Sequence, residues 1–150
     1  MKLKSYFVTG IGTDVGKTVV SSILVNLLKA DYWKPIQAGD LHFTDSMKIE
    51  KLCNGVYIHP ERYRLAQPMS PHAAAERDNV EIHVKDFCLP NSENHLIVEG
   101  SGGLLVPLND NQMIIDLIEY LQIDVLLVSQ HYLGSINHTL LSIEALQNRR

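Results

Sequence analysis

Residues 8–18 read VTGIGTDVGKT. A short apolar run leads into this stretch, small residues fill it, and it closes on Gly16-Lys17-Thr18. A strand followed by a Gly-rich turn and a helix N-terminus forms an anion site, because free backbone N–H groups and the helix dipole point the same way. In the common phosphate-loop pattern G-x-x-x-x-G-K-[ST] the first glycine falls at position 11, and this chain has Ile11 there. Gly10 and Gly12 flank it. The context of a phosphate loop is present without its usual spacing. In that context the Lys17 ammonium would reach the β- and γ-phosphates and the Thr18 hydroxyl would bind Mg²⁺.

The flanking sequence supports this. Residues 5–9 (SYFVT) stop at glycine, as a buried strand does. Val19, Val20, Ile23, Leu24, Leu27 and Leu28 then recur at helical spacing. Residues 31–35 (DYWKP) predict a very short second strand, since Pro35 biases Lys34 toward an extended backbone. Residues 44–52 predict a short helix with Asp45 near its positive end. Residues 53–92, with Pro60, Pro68, Pro71 and Pro90, form the least regular part. Within them Ser70-Pro71-His72 can open a helix, with Ser70 as N-cap and Pro71 at the first helical position.

Residues 95–99 (HLIVE) and 124–129 (DVLLVS) predict two more buried strands. Residues 113–121 predict an amphipathic helix, and 135–147 another with Ile136, Leu140, Ile143 and Leu146 in one stripe. Apolar strands alternating with helices imply an α/β fold of P-loop NTPase type, with a mostly parallel sheet covered by helices on both faces. The 150 residues predict a single nucleotide-binding domain, residues 1–150. The chain stops at Asn148-Arg149-Arg150, where the alternation calls for another strand, so the domain is expected to be incomplete at its C-terminus.

Composition narrows the function. The chain is 45% hydrophobic and 20% charged, an ordinary globular balance. A net charge of −4 and a pI near 5.9 argue against a dedicated nucleic-acid binder. Cys53 and Cys88 form no C-x-x-C and read as reduced thiols of a cytoplasmic protein. The seven histidines are scattered and show no metal-ligand spacing. Near the N-terminus, Lys2 and Lys4 precede an apolar run that Gly10, Gly12 and Asp14 break, so neither a signal peptide nor a membrane span is expected there.

Three further residues carry chemistry. Glu99 ends an apolar strand, a natural place for an acid that holds Mg²⁺. Asp45 is a second candidate acid. Lys34 lies between Trp33 and Pro35 at a strand end, where ligands bind in open α/β sheets. Residues 100–103 (GSGG) add free N–H groups without side-chain bulk.

Taken in order, these residues resemble the dethiobiotin synthetase family. That family's loop is G-x-x-x-x-x-G-K-T, one residue longer than the common pattern, and it fits when counted from Gly10. Lys34-Pro35-Ile36-Gln37-Ala38-Gly39 is similar to K-P-[VI]-x-[ST]-G. Ser70-Pro71-His72 matches S-P-H, and Val98-Glu99-Gly100-Ser101-Gly102-Gly103 matches V-E-G-A-G-G with serine for alanine. Leu133-Gly134-Ser135-Ile136-Asn137-His138 matches L-G-x-I-N-H.

The resemblance implies an ATP- and Mg²⁺-dependent enzyme that joins CO₂ to 7,8-diaminononanoate and closes the ureido ring of dethiobiotin. The implied route runs through a carbamate and a carbamic–phosphoric anhydride. It implies that Lys34 and Lys17 are catalytic, and that Thr18, Asp45 and Glu99 hold the metal. Thr13, Asp14, Val15, Gly16, Lys17, Thr18 and Val19 would bind ATP together with Asp45, Glu99, Gly100, Ser101 and Gly102. The diamine would meet Lys34, Ala38, Gly102, Gly103 and Leu104. Ser135, Ile136 and Asn137 would hold its carboxylate across the interface of a homodimer.

The chain departs from the pattern in several places. Ala38 replaces a Ser or Thr, Asp14 a common Glu, and Tyr132 a lysine found in some members. Family chains also continue through a strand bearing an adenine-reading Asn. Two other functions share the loop: an ATP-dependent amidotransferase of cofactor synthesis, and a nucleotide-switch ATPase. The first needs a glutaminase domain, and the second carries an additional lysine in the loop. Neither feature is present in this sequence.

Overall fold

The computed structural model describes residues 3–149. Lys2, and Arg150 of the C-terminal Asn-Arg-Arg, lie outside them. The central sheet is parallel, in the order β4-β2-β6-β1-β7. These strands are β1 (Ser5–Gly10), β2 (Asp31–Trp33), β4 (Ile58–His59), β6 (Leu96–Gly103) and β7 (Asp124–Val128). A separate two-stranded sheet pairs β3 (Ile36–Ala38) with β5 (Tyr63–Leu65). The helices are α1 (Lys17–Leu28), α2 (Asp45–Leu52), α3 (Pro71–Arg77), α4 (Ile114–Leu121) and α5 (Ser135–Gln147).

Side chains alternate across a strand, so each strand feeds two cores. Val8, Tyr32 and Ile97 face one way and pack with Val25 of α1 and Ile49 of α2. Phe7, Trp33, Leu96 and Val98 face the other way and pack with Ala74 and Ala75 of α3 and Ile114, Ile115 and Ile118 of α4. The predicted doubly covered parallel sheet is therefore observed.

Three sequence expectations need correction. First, the predicted 31–35 strand stops at Trp33, β3 arises from residues assigned to no element, and β4 and β5 arise from the segment read as irregular. Second, β6 does not stop at Glu99. It pairs regularly with β1 through Val8↔Glu99, then bulges so that Gly10 next pairs with Gly103. The glycines of 100–103 thus belong to a strand with a bulge rather than to a free turn. A Cβ on Gly100 would come within 2.7 Å of the Phe7 ring, which explains the glycine.

Third, the apolar stripes of two helices face the core only in part. In α1, Val20, Leu24 and Leu28 pack against the core with buried Val25, whereas Val19, Ile23 and Leu27 are 59%, 58% and 73% exposed. In α5, Ile136 and Leu140 are exposed while Leu146 packs inward. Among the described residues no helix is long and apolar enough to cross a membrane.

Candidate functional site

The strand-to-helix turn after β1 is a loop closed upon itself. Gly16 (φ 96°) is the N-cap of α1 and Asp14 also has positive φ (57°), which Asp tolerates better than most residues. Val15 points into the core beneath the loop. A Cβ on Gly10 would lie 2.6 Å from Val15 Cγ2, whereas one on Gly12 would meet nothing within 4 Å. Gly10 is thus the glycine this loop requires, and counting begins there. The Lys17 ammonium, buried against the loop, donates to the Gly12 carbonyl at 2.7 Å. Burial, and then the nearby charge of Lys34, push its pKa down.

Just past the end of β2 and midway along β6, a charged cluster faces the loop. Glu99 is almost fully buried and fully engaged. Its Oε1 accepts from Thr18 Oγ1 at 2.8 Å and from Lys34 Nζ at 3.3 Å, and its Oε2 accepts from Tyr32 Oη at 3.0 Å. Lys34 Nζ also donates to the Gly100 carbonyl at 3.0 Å and pairs with Asp45 Oδ2 at 2.8 Å. Lys34 is therefore no solvent-reaching strand-end lysine. Burial works against its charge, but Glu99 and Asp45 outweigh this and raise its pKa.

Asp45 opens α2, yet Thr44 is the cap, its Oγ1 accepting from the Met47 N–H at 3.2 Å. The Asp45 carboxylate is free to face Lys34 and, at 2.9 Å, Lys48. Burial alone would raise its pKa, but the Lys34 ammonium and then Lys48 bring it down to about 2.

These groups line a cavity of about 610 Å³. Of the predicted site residues, Thr13, Asp14, Gly16, Lys17, Thr18 and Val19 line it from the loop side. Lys34, Ala38, Asp45, Glu99, Ser101 and Gly102 line it from the sheet side. Ser101 is partly committed elsewhere, since its hydroxyl donates to the Ile36 carbonyl at 2.7 Å and ties β6 to β3. Gln37, a possible substitute for the hydroxyl missing at Ala38, is committed too: its amide donates to the Gly39 carbonyl at 2.9 Å and accepts from the Asp45 N–H at 3.1 Å.

Gly103 and Leu104 instead line a neighbouring, more apolar cavity with His138 and Leu141. Val15, Gly100, Ser135, Ile136 and Asn137 line neither cavity. Ser135 is buried at the start of α5, while Ile136 and Asn137 point outward. Sequence reasoning missed Tyr32, Lys48, Asp40, Pro68 and Met69, of which the last four line the larger cavity. Only Lys48, one helical turn after Asp45, carried a usable signal.

The cluster fits Mg²⁺ when judged by its donors. Among the described residues no group of three or more His, Cys, Asp or Glu is placed to hold a metal ion. Mg²⁺ bound to phosphates needs no such group, because it keeps waters and takes one or two carboxylates. Glu99, Asp45 and the Thr18 hydroxyl supply hard oxygens, and the Lys34 ammonium shows that positive charge is favoured between the two acids.

Comparison with known proteins agrees with the geometry. A family model described as an AAA domain matches residues 4–150. A protein of Christiangramia forsetii named "ATP-dependent dethiobiotin synthetase BioD" is 57% identical over 148 residues, covering 97% of this chain and 71% of that protein. Proteins of the same name from Cytophaga hutchinsonii and Chlamydia pneumoniae are 54% and 48% identical. They are matched over 98% of this chain in both cases, and over 72% and 67% of their own lengths.

Proposed function

The chain belongs to the ATP-dependent dethiobiotin synthetase family, and on that premise we propose that it closes the ureido ring of dethiobiotin from 7,8-diaminononanoate, CO₂ and ATP. It is an ATP-dependent ligase by that membership. The observation that carries the reading is the Lys34 ammonium held between Asp45 and Glu99, facing the phosphate loop.

The reaction must bring together two anions, the carbamate formed from one substrate amine and CO₂, and the γ-phosphate of ATP. The loop N–H groups and Lys17 hold the phosphates, with Lys17 leaving the Gly12 carbonyl for the γ-phosphate. Lys34 lies where it can meet the carbamate and lower the repulsion. The carbamate oxygen attacks the γ-phosphorus and ADP leaves, giving the carbamic–phosphoric anhydride. The second amine then attacks the anhydride carbon, expels phosphate with that oxygen, and loses a proton as the ring closes. Mg²⁺, held by Thr18, Glu99 and Asp45 directly or through water, would neutralise charge on the transferring phosphoryl group.

The diamine would lie along Ala38, Gly102, Gly103 and Leu104, with no side-chain hydroxyl at Ala38 to anchor it. Ile136 and Asn137 point outward, and with buried Ser135 they lie outside the cavity of their own subunit. A homodimer in which α5 of a second copy meets this cavity accounts for that, and for the exposure of Leu133, Ile136 and Leu140 beside them. The N–H groups at the start of α5 suit the substrate carboxylate.

Phosphate release from ATP tests this reading with the diamine and bicarbonate present, then with each left out. Release should require both. Turnover that ignores the diamine would sink the proposal and favour a nucleotide-switch ATPase.

A further inference from the structure

Glu99 is nearly inaccessible to solvent, and its two oxygens have different surroundings. Oε1 faces the phosphate loop, where Thr18 Oγ1 and Lys34 Nζ reach it. Oε2 faces the core, where it accepts from the hydroxyl of Tyr32, a fully buried residue of β2. The sheet register sets up this contact. Tyr32 pairs with Ile97, so its ring lies on the face that Ile97 and Glu99 share, and its hydroxyl reaches one pleat forward to the acid.

We propose that Tyr32 is a positioning residue for the phosphate-side acid: by donating to Glu99 Oε2 it fixes the carboxylate plane, so that Oε1 stays aimed at Thr18 and available to the metal that would accompany the nucleotide. Without the hydroxyl, Oε2 becomes a buried acceptor lacking its partner. The carboxylate then gains by rotating toward Lys34 or admitting a water, and either movement takes Oε1 off line. This role rests on the proposed metal function of Glu99.

The test is Mn²⁺ binding to the complex of the full chain with ATP, read by the electron paramagnetic resonance signal of free Mn²⁺, together with ATP binding in EDTA. Tyr32→Phe keeps the ring and should weaken Mn²⁺ about tenfold while ATP binding in EDTA stays within about twofold. Glu99→Gln should weaken Mn²⁺ at least as much, and adding Tyr32→Phe to it should cost little more. If Glu99→Gln weakens Mn²⁺ but Tyr32→Phe does not, the positioning role is overturned and the metal role of Glu99 stands. If Glu99→Gln changes nothing, both roles fall. Equal losses of Mn²⁺ and of EDTA-measured ATP binding in Tyr32→Phe, or additive losses in the double variant, indicate a packing role and overturn the proposal.

Discussion

Lys34 Nζ lies 2.8 Å from Asp45 Oδ2 and 3.3 Å from Glu99 Oε1, so one buried ammonium joins acids from α2 and β6 beside the phosphate loop. An ammonium that serves the transferring group more than the bound nucleotide should matter to the chemical step. Lys34→Ala is predicted to keep ATP binding and to lower the rate of ring closure by about 10²–10³-fold. Equilibrium binding of ATP and single-turnover product formation separate the two effects. Collapsed ATP affinity with an intact chemical step would reassign Lys34 to nucleotide binding.

Asp45 makes acid stability measurable. Its folded pKa, about 2, is depressed below the ordinary carboxylate value. A depressed acid contributes stability that is complete above its unfolded pKa of about 4 and is lost as pH falls from there toward 2. The difference amounts to about 2 kcal/mol. Urea titrations at pH 5 and pH 2.5 should show wild type losing more stability than Asp45→Asn over that interval. Equal losses would mean that the Lys34 and Lys48 contacts do not hold in solution.

The phosphate loop separates two glycines that look equivalent in sequence. At Gly10 an added Cβ would lie 2.6 Å from Val15 Cγ2 and 3.1 Å from the Gly12 carbonyl, while Gly12 has open space. Gly10→Ala is predicted to cost about 1–3 kcal/mol through overpacking, and Gly12→Ala much less. Thermal unfolding of both variants checks this. The opposite order would show that the loop closes differently.

Leu133, Ile136 and Leu140 place apolar surface beside residues 135–137. If that surface is the dimer contact, sedimentation at micromolar protein should show a dimer, and Ile136→Asp should shift it to monomer and raise the KM for the diamine. A wild-type monomer that is fully active would remove the shared site.

Much of this was legible in the sequence, and the failures have physical causes. β1, β6, β7, α1 and α5 stood out because their apolar runs are long enough to show a period. β3, β4 and β5 span only two or three residues each and exist because neighbouring strands pair with them, so no local pattern marks them. Periodicity identified α1 and α5 as helices but did not separate Val20, Leu24, Leu28 and Leu146, which pack inward, from Val19, Ile23, Leu27, Ile136 and Leu140, which are exposed, since it reports a stripe and not what covers it. Lys17, Lys34, Asp45 and Glu99 were legible as charges in places that fold rules link to ligands. Tyr32 was not: in an apolar run it reads as core, and only the β2–β6 register brings its hydroxyl to Glu99.

In the proposed route a carbamate oxygen attacks the γ-phosphate beside Lys34. Bicarbonate labelled with ¹⁸O, supplied with ATP and 7,8-diaminononanoate in a single turnover, tests it most directly by mass analysis of the phosphate released. The attacking oxygen leaves with phosphorus when the ring closes, so one labelled oxygen is expected in the phosphate for each dethiobiotin formed. Unlabelled phosphate accompanying labelled dethiobiotin would contradict it.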